Sequence, residues 1–205
     1  MWPHLVTATT AHSAHDAVVR SVAQAFAHTA YVALCLSLSW GVFVTTGWIG
    51  RITGRVPMRR SHATLAVLAI SLSVAHAATF LFLTDLDERF SVGALVVPLF
   101  PNAPTRWTLG IIAVDLMIAV VLSTALMRFI VYRRWLRFHR LAYLAVALGV
   151  AHSWLGAVAN GTLAVLWIAG LSALAPTVLV AALRFTPTRY LESTGFLTSA
   201  RSRDA

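Results

Sequence analysis

Five stretches of about twenty apolar residues divide this chain: 30–49, 62–83, 107–127, 141–159 and 163–183. About twenty residues at ~1.5 Å of helical rise cross a hydrocarbon core of ~30 Å, so each stretch is long enough to span a bilayer as a helix. Membrane strands would be shorter and would alternate apolar with polar positions, whereas here both alternating sets are apolar. A hydrophobic fraction of 59% against 11% charged residues lies well above that of a soluble domain. The expected fold is all-α, an integral membrane bundle of about five transmembrane helices.

The net charge of +9 would suit a nucleic-acid binder, but its distribution points elsewhere. All sixteen basic residues are arginine, and most stand in the connections between spans. Arg51, Arg55, Arg59 and Arg60 lie between the first two spans, and Arg128, Arg133, Arg134, Arg137 and Arg140 lie between the third and fourth. The connection after the second span instead sets Asp85, Asp87 and Glu88 against Arg89 and Arg106, and the one after the fourth is uncharged. Basic loops stay in the cytoplasm, which predicts a plasma-membrane protein with its amino terminus outside and its carboxyl terminus inside. The lipid bilayer is the expected partner, and nucleic acid is not.

Three regions follow: an external segment at 1–29, helical from about His15; a transmembrane domain at 30–184; and a cytoplasmic tail at 185–205. The first twenty residues lack the basic start and apolar core of a cleaved signal. No glycine-rich phosphate loop and no room for a βαβ unit exist, so a flavin or nicotinamide module is not expected within the chain. The lone cysteine, Cys35, falls inside the first span and says nothing about redox compartment.

Histidine carries the chemical information. Of eight, four fall in or at the ends of spans two and four: His62 and His76, then His139 and His152. An ionisable side chain in a span is costly and by default faces the bundle interior with a partner. Both spans run outward from the cytoplasm, so His62 and His139 share an inner level, and His76 and His152 share an outer one. Spacings of fourteen and thirteen residues correspond to ~21 and ~20 Å of rise, too far for one small metal ion. Two cofactors stacked across the membrane fit, each gripped by one histidine from each helix. Haem suits this pattern, because a flat macrocycle takes axial imidazoles on opposite faces. Zinc or copper would need ligands gathered at one depth. Gly149 and Ala151 beside His152, and Ala75, Ala77 and Ala78 beside His76, leave room for a wide ring. Arg59, Arg60, Arg137 and Arg140 are candidates for pairing with propionates. At ~100° per residue, fourteen residues return to within ~40° of the starting face, but thirteen miss it by ~140°. A tilt, a bulge near Gly149, or entry from different sides would each restore the match.

The stretches RSHATLAVLAISLSVAHAATF and YRRWLRFHRLAYLAVALGVAHSWLGA, together with the unequal fourteen and thirteen spacing, resemble the ferric reductase-like transmembrane domain. That family is shared by ferric reductases, NADPH oxidases and the haem-binding membrane subunit of the bacterial methionine sulfoxide reductase system. The resemblance covers roughly residues 40–184. It implies two b-type haems between helices two and four, His62 and His139 on the inner one and His76 and His152 on the outer one. It also implies electron transfer across the membrane from a cytoplasmic donor to an outer acceptor. Because the chain departs from longer members in having no flavin and nicotinamide domain, the donor is expected to be a separate flavoprotein, a quinol, or a flavin bound at the cytoplasmic face. An oxidoreductase-type subunit that works with a separate reductase partner follows.

The competing expectation is a haem-free membrane metal transporter or assembly factor that passes a metal ion between histidines, although paired glycine or proline interruptions of the transporter kind are not evident. His28 reads as an interfacial histidine at the outer end of span one, and His4, His12 and His15 as external residues. Asp115, a third of the way into span three, reads equally as a proton site or a hydrogen-bonded carboxyl. Trp48, Trp107, Trp135 and Trp154 stand near span ends, where aromatic belts are expected.

Overall fold

A computed structural model describes residues 3–46, 54–85, 90–98 and 104–163, with isolated positions beyond. Six α-helices occur among them: α1 (Pro3–Thr46), α2 (Arg55–Thr79), α3 (Val92–Val96), α4 (Thr105–Ala125), α5 (Tyr132–His139) and α6 (Leu141–Ala159). Single 3-10 turns at Phe80–Phe82 and Met127–Phe129 extend α2 and follow α4. No strand occurs among the described residues, in line with the expected all-α class.

Four segments are long and apolar enough to cross a membrane: Ala14–Thr45, Val56–Phe82, Thr105–Ala125 and Tyr132–Ala159. They correspond to the first four predicted spans, while the fifth, 163–183, falls almost entirely outside the described residues, as does the tail. The first of these segments contains most of the expected stretch 30–49, on a helix that starts at Pro3 rather than near His15. Residues 14–29 hold His15, Asp16, Arg20, Gln24 and His28, which lower the local hydropathy. No glycine or proline interrupts them, so nothing local ends the helix. His28 lies within α1.

The polar start of the span is tied down by Asp16, which is buried at 7% exposure. Its carboxylate accepts hydrogen bonds from Thr84 N–H at 2.9 Å, Thr84 Oγ1–H at 2.9 Å and Asp85 N–H at 3.2 Å, clamping α1 to the loop after α2.

Packing follows small residues, which let helix backbones approach where lipid offers no hydrophobic drive. α1 runs along α2, and α4 along α6; α1 also touches α6, and α2 touches α4. The four therefore form a ring in which α2 and α6 face each other diagonally. Ala23, Ala30, Ala33 and Ser37 line the buried seam of α1, and Ala69, Ala113 and Ala145 serve the other helices. Val67, Leu68, Val74 and Leu122 point outward, as lipid-facing side chains do.

The thirteen-residue mismatch is narrowed, by about 60°, at Arg140. The helical segment Tyr132–Ala159 is broken there into α5 and α6, with Tyr143 N–H bonding the Arg140 carbonyl at 3.1 Å across three residues. One tighter turn rotates His139 relative to His152. Gly149, the position at which a bulge was considered, lies in unbroken helix, and there it admits Leu34.

Candidate functional site

The four span histidines meet in two pairs across the bundle. The rings of His62 and His139 have centroids 6.2 Å apart with an interplanar angle of 77°. Those of His76 and His152 have centroids 6.2 Å apart at 66°. Each pair joins α2 to the α5–α6 segment, and all four rings are half-buried.

Three of the four rings are anchored through Nδ1 to backbone carbonyls of a neighbouring helix. His62 Nδ1 lies 3.0 Å from the Ser37 carbonyl and His76 Nδ1 lies 2.8 Å from that of Ala23, both on α1; His152 Nδ1 lies 2.6 Å from that of Arg106 on α4. A carbonyl only accepts, so Nδ1 carries the proton in each case and donates. That fixes the tautomer and leaves Nε2 with its lone pair free, the arrangement found behind metal-bound histidines. Ser37 and Ala23 are fourteen residues apart, matching His62 and His76, as antiparallel packing of α1 on α2 requires.

A helical carbonyl is already bonded to the amide four residues on, and a side chain at that fourth residue would crowd a second donor. Here the fourth residues are small. Gly41 follows Ser37 and Gly110 follows Arg106, while Ala27 follows Ala23. A Cβ on Gly110 would stand 2.8 Å from His152 Nδ1, and one on Gly41 would stand 3.1 Å from Cε1 of His62. Both glycines are gaps that a ring edge fills.

His139 differs. Its Nδ1 is buried and has no hydrogen-bond partner among the described residues. The ring stacks on Trp135 instead, with centroids 4.8 Å apart and planes 25° apart, and Trp135 Nε1–H donates to Thr124 Oγ1 at 3.4 Å.

The chain's donor set suits haem. Metal–imidazole bonds of ~2.0–2.1 Å, with ring centres ~1.1 Å beyond the nitrogens, separate the centroids of two axial imidazoles by about 6.2–6.4 Å. Both pairs match this separation. Among the described residues no group of three or more His, Cys, Asp and Glu side chains gathers to hold a metal ion, so the histidines come as pairs.

Above the outer pair lies an aromatic series. His76 meets Phe80 edge-on at 5.3 Å, Phe80 meets Phe90 at 5.5 Å, Phe90 meets Trp107 at 4.3 Å, and the Arg106 guanidinium stands 5.8 Å over Trp107. Arg106 also provides the carbonyl that holds His152, so the series begins and ends at the pair. The tryptophans expected as belt residues thus include two that serve the site, Trp107 and Trp135. Trp154 is 39% exposed, and Trp48 lies outside the described residues.

The candidate arginines are all exposed. By helical phase Arg59, three residues before His62, stands on the histidine side of α2, and Arg140 adjoins His139. Arg60 and Arg137 lie ~160° round from the histidine of their own helix. Asp115 is exposed on the face of α4 opposite the buried Ala113, Met117 and Val120. His4 and His12 belong to α1, and His15 Nδ1 lies 3.2 Å from the Asp16 carboxylate.

The acceptor carbonyls, Gly41, Gly110 and the aromatic series escape a reading of sequence. The one local trace is a solitary glycine in each of two apolar helices, which points to close approach without saying of what.

The profile of the family described as "Ferric reductase like transmembrane component" matches residues 25–150. The match spans more than half of the chain and includes His62, His76 and His139, ending just before His152. Curated proteins gave no match, and solved structures gave none.

Proposed function

This chain belongs to the ferric reductase-like transmembrane component family, and on that premise we propose that it is a b-type dihaem cytochrome carrying electrons from a cytoplasmic donor to an acceptor at the outer face. Membership makes it a membrane electron-transfer component. The dihaem reading rests above all on the two histidine pairs with the same 6.2 Å separation at two levels between α2 and the α5–α6 segment. Haem, when bound, supplies one-electron redox chemistry, with axial ligands and their surroundings setting the potential.

The chain's own residues hold, orient and shield. His62 and His139 serve the inner level and His76 and His152 the outer, ~20 Å away along the bundle. Ser37, Ala23 and Arg106 keep the proton on Nδ1 of three rings, which raises the basicity of Nε2. Phe80, Phe90 and Trp107 exclude water from the outer pair. Arg59 and Arg140 are the best placed of the four arginines for propionates, with Arg60 and Arg137 farther round. The donor is a separate flavoprotein, a quinol, or a flavin held at the cytoplasmic face. Arginine-rich connections beside the inner pair support a cytoplasmic position for that level.

A reduced-minus-oxidised spectrum with a haem-to-protein determination tests this. Sharp bands of six-coordinate b haem at about two haems per chain are expected, and His76→Ala or His152→Ala should each remove about half of the signal. Full haem content in all four single histidine variants would overturn the ligand assignment. A haem-free chain that binds transition-metal ions would favour the transporter reading instead.

A further inference from the structure

Helix α5 has two faces of opposite character. At ~100° per residue, Trp135, Leu136 and His139 fall on one side and Arg133, Arg134 and Arg137 on the other. The first three are half-buried against the bundle, and the three arginines are exposed. Among the described residues no carboxylate lies within ion-pair distance of any of them. Two large apolar side chains are exposed at the edge of the arginine face, Val131 at 64% and Phe138 at 40%, while Tyr132 falls by phase with Trp135, its ring 5.6 Å away.

That mixture discriminates between possible occupants. An acidic patch on a soluble protein would balance the guanidinium charge but leave Val131 and Phe138 in water. An anionic phospholipid satisfies both requirements. Its phosphodiester accepts paired N–H bonds from the guanidinium fork, and its acyl chains cover the apolar side chains. A short helix with basic and aromatic residues beside a membrane span is the usual form of an interfacial element.

We propose that the outward face of α5 binds anionic phospholipid headgroups at the membrane surface, using Arg133, Arg134 and Arg137 together. Because α5 is a separate helix, broken from α6 at Arg140, lipid seated on its outer face also restrains the helix that carries His139 on its inner face. The proposal rests on the bundle being membrane-embedded and does not depend on haem.

The test uses the full chain purified from mixed membranes of phosphatidylcholine and phosphatidylglycerol, with retained lipid identified by mass spectrometry. Phosphatidylglycerol should be enriched over its bulk share, and the preference should fall as salt is raised. Each arginine near an anionic surface contributes about fivefold, so the R133Q/R134Q/R137Q variant should lose a preference on the order of a hundredfold. The R133K/R134K/R137K variant, which keeps the charge but not the fork, should fall between the parent and the glutamine variant and serves as the folding control. Retained lipid at bulk composition, or a glutamine variant as selective as the parent, would overturn the proposal. Haem content measured in parallel separates the two readings, since its absence alongside lipid preference would count against the cytochrome only.

Discussion

The outer and inner histidine pairs share a centroid separation but are built differently. At the outer level both rings are tied to backbone, His76 to Ala23 at 2.8 Å and His152 to Arg106 at 2.6 Å, under the aromatic roof of Phe80, Phe90 and Trp107. At the inner level only His62 has such a tie, to Ser37 at 3.0 Å, and His139 relies on the face of Trp135. The difference follows from helix packing. An imidazole reaches a carbonyl of another helix only where the two run close, and His152 sits on α6, packed along α4. His139 closes α5, which meets α4 through the Trp135 bond to Thr124, and no carbonyl partners its Nδ1 among the described residues. A backbone carbonyl cannot be removed by substitution, whereas a stacking partner can. The outer site is therefore the more rigid, and the inner one the more adjustable.

The largest test of this contrast is Gly110→Ala. The new Cβ would stand 2.8 Å from His152 Nδ1, so the ring must leave its 2.6 Å bond to Arg106. Loss of such an orienting partner typically weakens metal-group binding on the order of 10–100-fold. On the proposed dihaem reading, outer-site haem retention on dilution should fall accordingly while the inner site persists, as read from a redox titration that resolves the two. Gly41→Ala meets His62 at 3.1 Å, close enough to need only a few tenths of an ångström of adjustment, and should have the smaller effect at the inner site. Equal effects of the two substitutions would break the comparison.

Trp135→Leu is expected to act at the inner site alone. It removes a stack worth about 0.5–1.5 kcal/mol beyond area burial and frees the ring plane of His139. Paramagnetic resonance of the oxidised protein should show a changed signal for one haem and an unchanged signal for the other. A shift in both would mean that the two levels are mechanically coupled. Thr124→Val is the smallest case. The Trp135 bond to Thr124 is long at 3.4 Å and exposed, so its removal should cost about 0.5 kcal/mol at most and shift the inner potential only slightly.

Sequence alone determined the material of this protein: helices, since both alternating sets of the first four long blocks are apolar, and membrane spans, since those blocks match a bilayer in length. It also determined that histidines occur at two levels, because rise per residue is a local property and needs no partner. The family likeness was legible for the same reason, being carried by two contiguous stretches. What only the tertiary structure decided is how each imidazole is held. The carbonyls that receive His62, His152 and His76 lie 25, 46 and 53 residues away in the chain, and no periodicity within a helix encodes them. The turn at Arg140 was equally hidden, because arginine is an ordinary helix residue with no intrinsic tendency to break one. The upstream reach of α1 was obscured by polar residues whose cost falls only when Asp16 finds Thr84 and Asp85. Composition records what a segment can be; contacts between distant segments fix where its side chains stand.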